Sequence, residues 1–456
     1  MRRSSATLAG LLALVSLAGA TGVARAHELG GTRFEAPIPL PLLLVGAGLT
    51  VGVTAAVLAR ADRGDRPPAS EDPTDGGEWE RSRRLGTVSP TIGRTLRTVV
   101  SVGFLAVFVG VLLAGLFGSR NALDNPATLF VWAVWFRGLG LVSALAGSPW
   151  RVLAPWRIIY RGFVALEGRT VGPFDYPERL GHWPALVGFL LLLGVGENLT
   201  VAPRTVSLTV LVVVAYALVM LAGALLFGPV WFERADPLDV LYRLFGRVAP
   251  LRFRRTGKGG YTVHLRVPWG SGGAVADAAV AAFVVAAVYT VSFDGFDGTP
   301  EYRTLAESLG RATGLGPLVD LPLYLAGLLA FVGTFALVAR LTRSGPTRGA
   351  LVALAPTVLP IAVAYEVAHN YPYVLSRAGR LVEVLVGVGA DPLAWLSVPA
   401  FWASQVALVV AGHLVAVVAA HLALRGRPAR AEVPLTAAMV GYTVLSLWII
   451  SRPVVA

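Results

Sequence analysis

Between Val363 and Leu375 a carboxylate and an imidazole, Glu366 and His369, stand three residues apart inside an apolar run, with Tyr365 and Tyr373 at four-residue spacing on either side of the histidine. On a helix Glu366 and His369 share one face. In lipid such groups are costly, and they call for a partner, a metal or a proton. A second apolar run carries His413 and His421. Two imidazoles and a carboxylate around one divalent ion, zinc or copper, with an open position for water, would make a nucleophile near neutral pH. In that scheme His369 and His413 are ligands, Glu366 is a ligand or the general base, Asp294 or His27 completes the set, and Arg137 stabilises developing negative charge. The chain has no HExxH, no paired Glu-x-x-His and no multi-aspartate motif, so this rests on residue types and depth alone. The competing reading is an ion network of Glu366, His369 and Arg137 that holds helices together, with His413 bonded to a backbone carbonyl. Bis-histidine haem ligation by His369 and His413 is disfavoured by their different depths.

The elements that must position these residues follow from composition. With 456 residues, 55% hydrophobic and 14% charged, the chain cannot be an ordinary soluble globule and reads as a polytopic all-α membrane protein. It has no cysteine, which excludes disulfides, thiolate metal sites and a cysteine nucleophile. Residues 1–26 have a basic start, an apolar run and Ala24-Arg25-Ala26, the pattern of a cleaved secretory signal peptide. Cleavage there leaves His27 at the head of an extracytoplasmic segment, 27–37, where a free amine beside an imidazole can chelate copper.

Ten apolar segments follow, near 38–59, 98–118, 126–147, 183–199, 205–228, 273–293, 318–339, 349–373, 399–424 and 432–451, each long enough to cross a hydrocarbon core of about 30 Å. With the mature N-terminus outside, the connections and helix ends assigned to the cytoplasm carry 27 Lys and Arg and the outer ones eight. That asymmetry fits the positive-inside rule, puts both mature termini outside a plasma membrane, and accounts for the +12 charge without nucleic acid. The first helix, 38–60, is followed by a linker, 61–97, rich in Asp, Glu, Pro, Gly and Arg that reads as disordered, and 98–456 form a nine-helix membrane domain. Aromatic and basic residues around Trp150–Tyr160 and Trp231–Leu244 predict helices lying in the interface, and Tyr261–Val267 alternates as a short strand or hairpin. This topology puts Glu366, His369, Glu197, Asp294, Asp297 and Asp320 toward the outer side, His413 halfway down its helix, and Arg137 mid-span facing one of the acids. His182, His264 and His421 read as structural.

Several stretches in order carry a family resemblance: His27-Glu28-Leu29-Gly30 before Pro37-Ile38-Pro39; Asn125-Pro126 through Trp150-Arg151 with Trp156-Arg157; Gly228 to Pro237; Phe293-Asp294-Gly295-Phe296; Val367-Ala368-His369; and Ala411-Gly412-His413. Together they resemble the integral-membrane proteins named fenitrothion hydrolase-like. The resemblance implies hydrolysis of an organophosphorus triester at a membrane-embedded site, and carries no catalytic residue over. The first expectation is therefore a metal-dependent hydrolase acting on a small apolar ester or phosphotriester from an outward-facing site. Two others stand beside it: a copper-binding or small-solute or metal transport protein, and a structural or assembly subunit. The bilayer is the expected environment and a small molecule the expected partner.

Overall fold

The computed structural model describes residues 36, 38–61, 82–257, 259–270, 273–343, 345–389 and 391–452. The expected signal peptide, His27 and most of the linker lie outside the described residues.

In chain order the elements are α1 (Leu40–Ala61), β1 (Arg83–Val88), α2 (Pro90–Phe117), α3 (Pro126–Ala146), α4 (Pro155–Glu167), α5 (Trp183–Glu197), α6 (Val206–Phe227), α7 (Pro237–Gly246), β2 (Leu251–Arg255) and β3 (Tyr261–Leu265). They continue with α8 (Ala278–Asp297), α9 (Pro300–Thr313), α10 (Asp320–Thr342), α11 (Thr347–Val386), α12 (Val398–Ala423) and α13 (Val433–Ser451). Among the described residues nine of these, α1, α2, α3, α6, α8, α10, α11, α12 and α13, are long and apolar enough to cross a bilayer. The protein is thus a polytopic all-α membrane protein. The fourth expected span, α5, is shorter, about 22 Å at 1.5 Å per residue.

Cap-proline pairs start many of the helices. Ser89, Asn125, Asp236 and Thr299 each precede a proline and accept a backbone N–H from the first turn of α2, α3, α7 and α9. The side-chain oxygen satisfies an orphan donor, and the proline occupies a position that needs none.

Burial separates the spans into two classes. In their most apolar stretches α8, α11 and α3 are 83%, 72% and 67% buried, whereas α10, α1 and α2 are 17%, 22% and 22% buried. The first three therefore form the centre of the bundle and the others its lipid-facing rim. The centre is where polar side chains can be kept from hydrocarbon.

Two expectations about the connections change. Part of the expected disordered linker is ordered: Arg83–Val88 is β1, paired antiparallel with β3 from Arg83↔Leu265 to Val88↔Tyr261, and α2 begins at Pro90. The reason is a partner distant in sequence, since β3 also pairs with β2 to give the order β1-β3-β2. Likewise α7, expected in the interface with its neighbours, is buried along nearly its whole length against α3 and α5.

Asp236 holds that corner. Its carboxylate, fully buried, accepts from the indoles of Trp150 and Trp156 at 3.0 Å, from the Tyr216 hydroxyl at 2.5 Å, and from the backbone N–H groups of Leu238 and Asp239 at 3.0 Å. One turn on, the buried Asp239 meets Arg243 at 2.8 Å and Arg157 at 3.3 Å. The five donors come from the turn at Trp150 and from α4, α6 and α7, so one residue ties four segments together.

Candidate functional site

Arg137 lies midway along α3 in a π-helical stretch, Leu129–Gly138, and its side chain is 4% exposed. It faces three acids. Its Nε donates to Glu197 at 2.8 Å, its Nη1 reaches both oxygens of Glu366 at 3.0 and 3.1 Å, and its Nη2 is 3.5 Å from Asp294. Asp294 in turn lies 3.3 Å from Nε2 of His369. The His369 side chain is 15% exposed, against 4% for Asp294, so the imidazole is the member of the group nearest to open space.

The local backbone is irregular on the elements that supply the group. Glu197 closes a second π-helical stretch, Leu190–Glu197, at the end of α5. Glu366 and His369 lie on α11, which contains Pro356, Pro360 and Pro372. A π stretch widens the helix by one residue per turn and re-aims the side chains after it, and such stretches recur at functional sites. Each proline removes a helical donor and leaves a carbonyl for other use. Gly295 sits where α8 meets α11: a Cβ there would fall 2.8 Å from Ile449 and 2.9 Å from the Tyr365 hydroxyl, so glycine admits the tyrosine ring.

Among the described residues one guanidinium faces three carboxylates, a surplus of two negative charges if all are ionised and His369 is neutral. Two buried polar atoms beside it, Oε2 of Glu197 and the Tyr365 hydroxyl, accept or donate no hydrogen bond among the described residues. Under Arg137 and Glu366 lies a void of about 10 Å³, room for one water, whose other walls include Phe189, Leu193, Phe245 and Thr290.

Of the residues singled out from sequence, the structure brings together Arg137, Glu366, Asp294 and His369. It adds Glu197, which was placed at the outer side but left out of the candidate set. His413 does not join them. Its ring is fully buried, its Nδ1 bonds the Val409 carbonyl at 2.9 Å, and its Nε2 has no hydrogen-bond partner among the described residues. Gln405 donates to the Ala368 carbonyl, and Gly412 packs on Pro360 and Ala364. His413 is therefore about 12 Å further down α12 than the level of His369. Among the described residues no three of His, Asp and Glu are placed to hold a metal ion, and His27 is outside them. The other histidines have protein partners: His182 with Asp277 at 2.7 Å, His421 with Glu432 at 3.2 Å, and His264 with Ser82 at 3.0 Å. Asp320 accepts from the Tyr302 hydroxyl at 2.8 Å.

The chain matches no family model, no curated protein and no solved structure. What the site does must be argued from its own chemistry.

Proposed function

We propose that the protein is a membrane transport protein in which the Arg137, Glu197, Asp294, Glu366 and His369 group binds a proton, or a cation in its place, during passage across the bilayer. The observation that carries this reading is the charge imbalance: one guanidinium serves three carboxylates at the centre of the bundle. Carboxylates that share one site do not all ionise, and a surplus charge at membrane depth calls for a bound proton or cation. Irregular helices support the same reading: Arg137 and Glu197 sit on π stretches and Glu366 and His369 on a helix that contains three prolines, and π stretches recur at functional sites.

The test is proton flux. Full-length protein is reconstituted in vesicles with a pH-sensitive dye inside, and a potassium diffusion potential is imposed. Faster dye response for wild type than for empty vesicles, lost in Glu366→Gln, is the expected result. Equal rates in all three sink the transport reading.

A second reading is hydrolysis of a small ester or organophosphorus triester, favoured by the His369–Asp294 contact at 3.3 Å. A partly exposed imidazole oriented by a carboxylate is a general base for water. Both oxygens of Glu366 are engaged by Arg137, so here Glu366 positions the arginine while His369 takes the proton. Release of nitrophenol from a nitrophenyl phosphotriester by wild type and not by His369→Gln would favour this reading over transport.

A further inference from the structure

On the side of the membrane that carries the sheet, two long stretches hold no acidic residue. Residues 82–97 include Arg83, Arg84, Arg94 and Arg97, and residues 246–270 include five arginines and a lysine. Most of these either face solvent or bond backbone carbonyls, as Arg252 and Arg266 do to Gly246 and Ala249. Arg97 differs. It lies two turns into α2, over the Tyr261 ring at 5.9 Å, where Gly93 lets the sheet lie against the helix: a Cβ there would be 2.9 Å from the Gly259 carbonyl. Its Nε and Nη2 are shielded from solvent and have no hydrogen-bond partner among the described residues. Guanidinium donors that are shielded from solvent and left idle are costly unless an anion meets them.

The neighbouring groups supply more positive charge. One turn after Arg97, the Ser101 hydroxyl donates to the Val152 carbonyl at 2.8 Å, which brings α2 against the turn Trp150–Leu153 and the start of α4. Arg161 on α4 approaches the Arg151 carbonyl at 3.4 Å. Burial first, and then the charges of Arg157 and Arg97, lower the pKa of the Arg161 guanidinium from its ordinary value. Among the described residues Asp239 is engaged by Arg157 and Arg243, and Glu233 by Arg151 at 3.4 Å.

Around these arginines the surface is apolar. On α2, Ile92, Leu96 and Val99 are 61%, 57% and 62% exposed, and on α4 Phe163 and Leu166 are 42% and 85% exposed. Such side chains face hydrocarbon, so the arginines lie where a lipid's headgroup sits above its chains.

We propose that Arg97 and Arg161 form a binding site for the phosphate of an anionic phospholipid in the leaflet on the sheet side, with the acyl chains lying along α2 and α4. Guanidinium groups bind phosphate through paired N–H donors, and the apolar flanks select a lipid over a free anion. The site is independent of the transport reading.

The test is native mass spectrometry of the full-length protein extracted from vesicles of mixed phosphatidylglycerol and phosphatidylcholine. Wild type is expected to retain phosphatidylglycerol preferentially, and Arg97→Gln/Arg161→Gln to lose about 30-fold of that preference, from the usual contribution of two arginines to anionic lipid binding. Arg311→Gln, on α9, serves as the control that keeps it. Equal preference in the double variant and wild type overturns the proposal. So does protection of wild type against heat by inorganic phosphate equal to that by phosphatidylglycerol, which would make this a free-anion site. If the double variant does not fold, wild type in the two vesicle types decides: phosphatidylglycerol must raise its melting temperature over phosphatidylcholine, and the gain must shrink as salt rises from about 50 mM to about 500 mM. No gain, or one indifferent to salt, overturns it equally.

Discussion

Two buried carboxylate centres sit at different levels of this bundle, and they are finished differently. At Asp236 five donors meet two oxygens, and the neighbouring Asp239 has arginines within 3.3 Å. At Arg137 the count is reversed, with three carboxylates drawing on one guanidinium. A satisfied centre contributes to holding a fold in place, because each lone pair is answered by a fixed donor. A centre with more acids than cations among the described residues has room to take up a proton or a cation. The same residue type therefore reads as structural in one place and as working in the other, and the donor count makes the distinction.

Breaking the satisfied centre has the largest expected effect. Asp236→Ala leaves two indole N–H groups, a tyrosine hydroxyl and two backbone N–H groups without an acceptor. A loss of about 3–5 kcal/mol or failure to fold is expected, read from yield and thermal unfolding in detergent. Breaking the other centre at its cation comes next. Arg137→Gln strands three carboxylates and costs about 3 kcal/mol or more, while Arg137→Gln/Glu366→Gln recovers part of that loss because it removes a surplus charge. No recovery in the double variant would contradict the charge count. By contrast Glu366→Gln alone is expected to leave the melting temperature nearly unchanged while proton flux is lost.

The smallest effect sharpens the comparison at a partly buried acid outside both centres, Asp277, whose side chain is 21% exposed. Burial pushes the Asp277 carboxyl up, but hydrogen bonds from the His182 ring and backbone and from the Val280 N–H outweigh it and hold the carboxyl below its ordinary pKa. The folded state then binds fewer protons than the unfolded one. Its contribution is present above about pH 4 and is lost as pH falls through and below that value. With solvent screening the loss is below about 1 kcal/mol. Acid unfolding of Asp277→Asn, compared with wild type, should show a correspondingly shallower limb.

Much of this was legible in the sequence, for physical reasons. Lipid forces spanning segments into continuous apolar runs, so the helices were found near their observed places, and charges inside those runs stood out. Arg137, Asp294, Glu366 and His369 could be named on that ground. Glu197 gave the same signal, an acid at the outer end of a span, but which helices adjoin is not written in hydropathy, so nothing ranked it above Asp320. The π stretches have no residue signature at all, because they arise from packing. The carbonyl bond of His413 belonged to the competing reading and not to the ligand reading put first, and its offset of about 12 Å from His369 along the helices depends on the register between α11 and α12. β1 was missed because its partners lie more than 160 residues away in the chain.

The length of α11 has its own consequence. Forty residues make a rod of about 60 Å, twice the hydrocarbon thickness, and Glu366 is at its midpoint. Pro356 and Pro360 lie before that midpoint and Pro372 after it, so the guanidinium grips the segment between weakened turns, and each arm of the helix can bend without carrying the other with it.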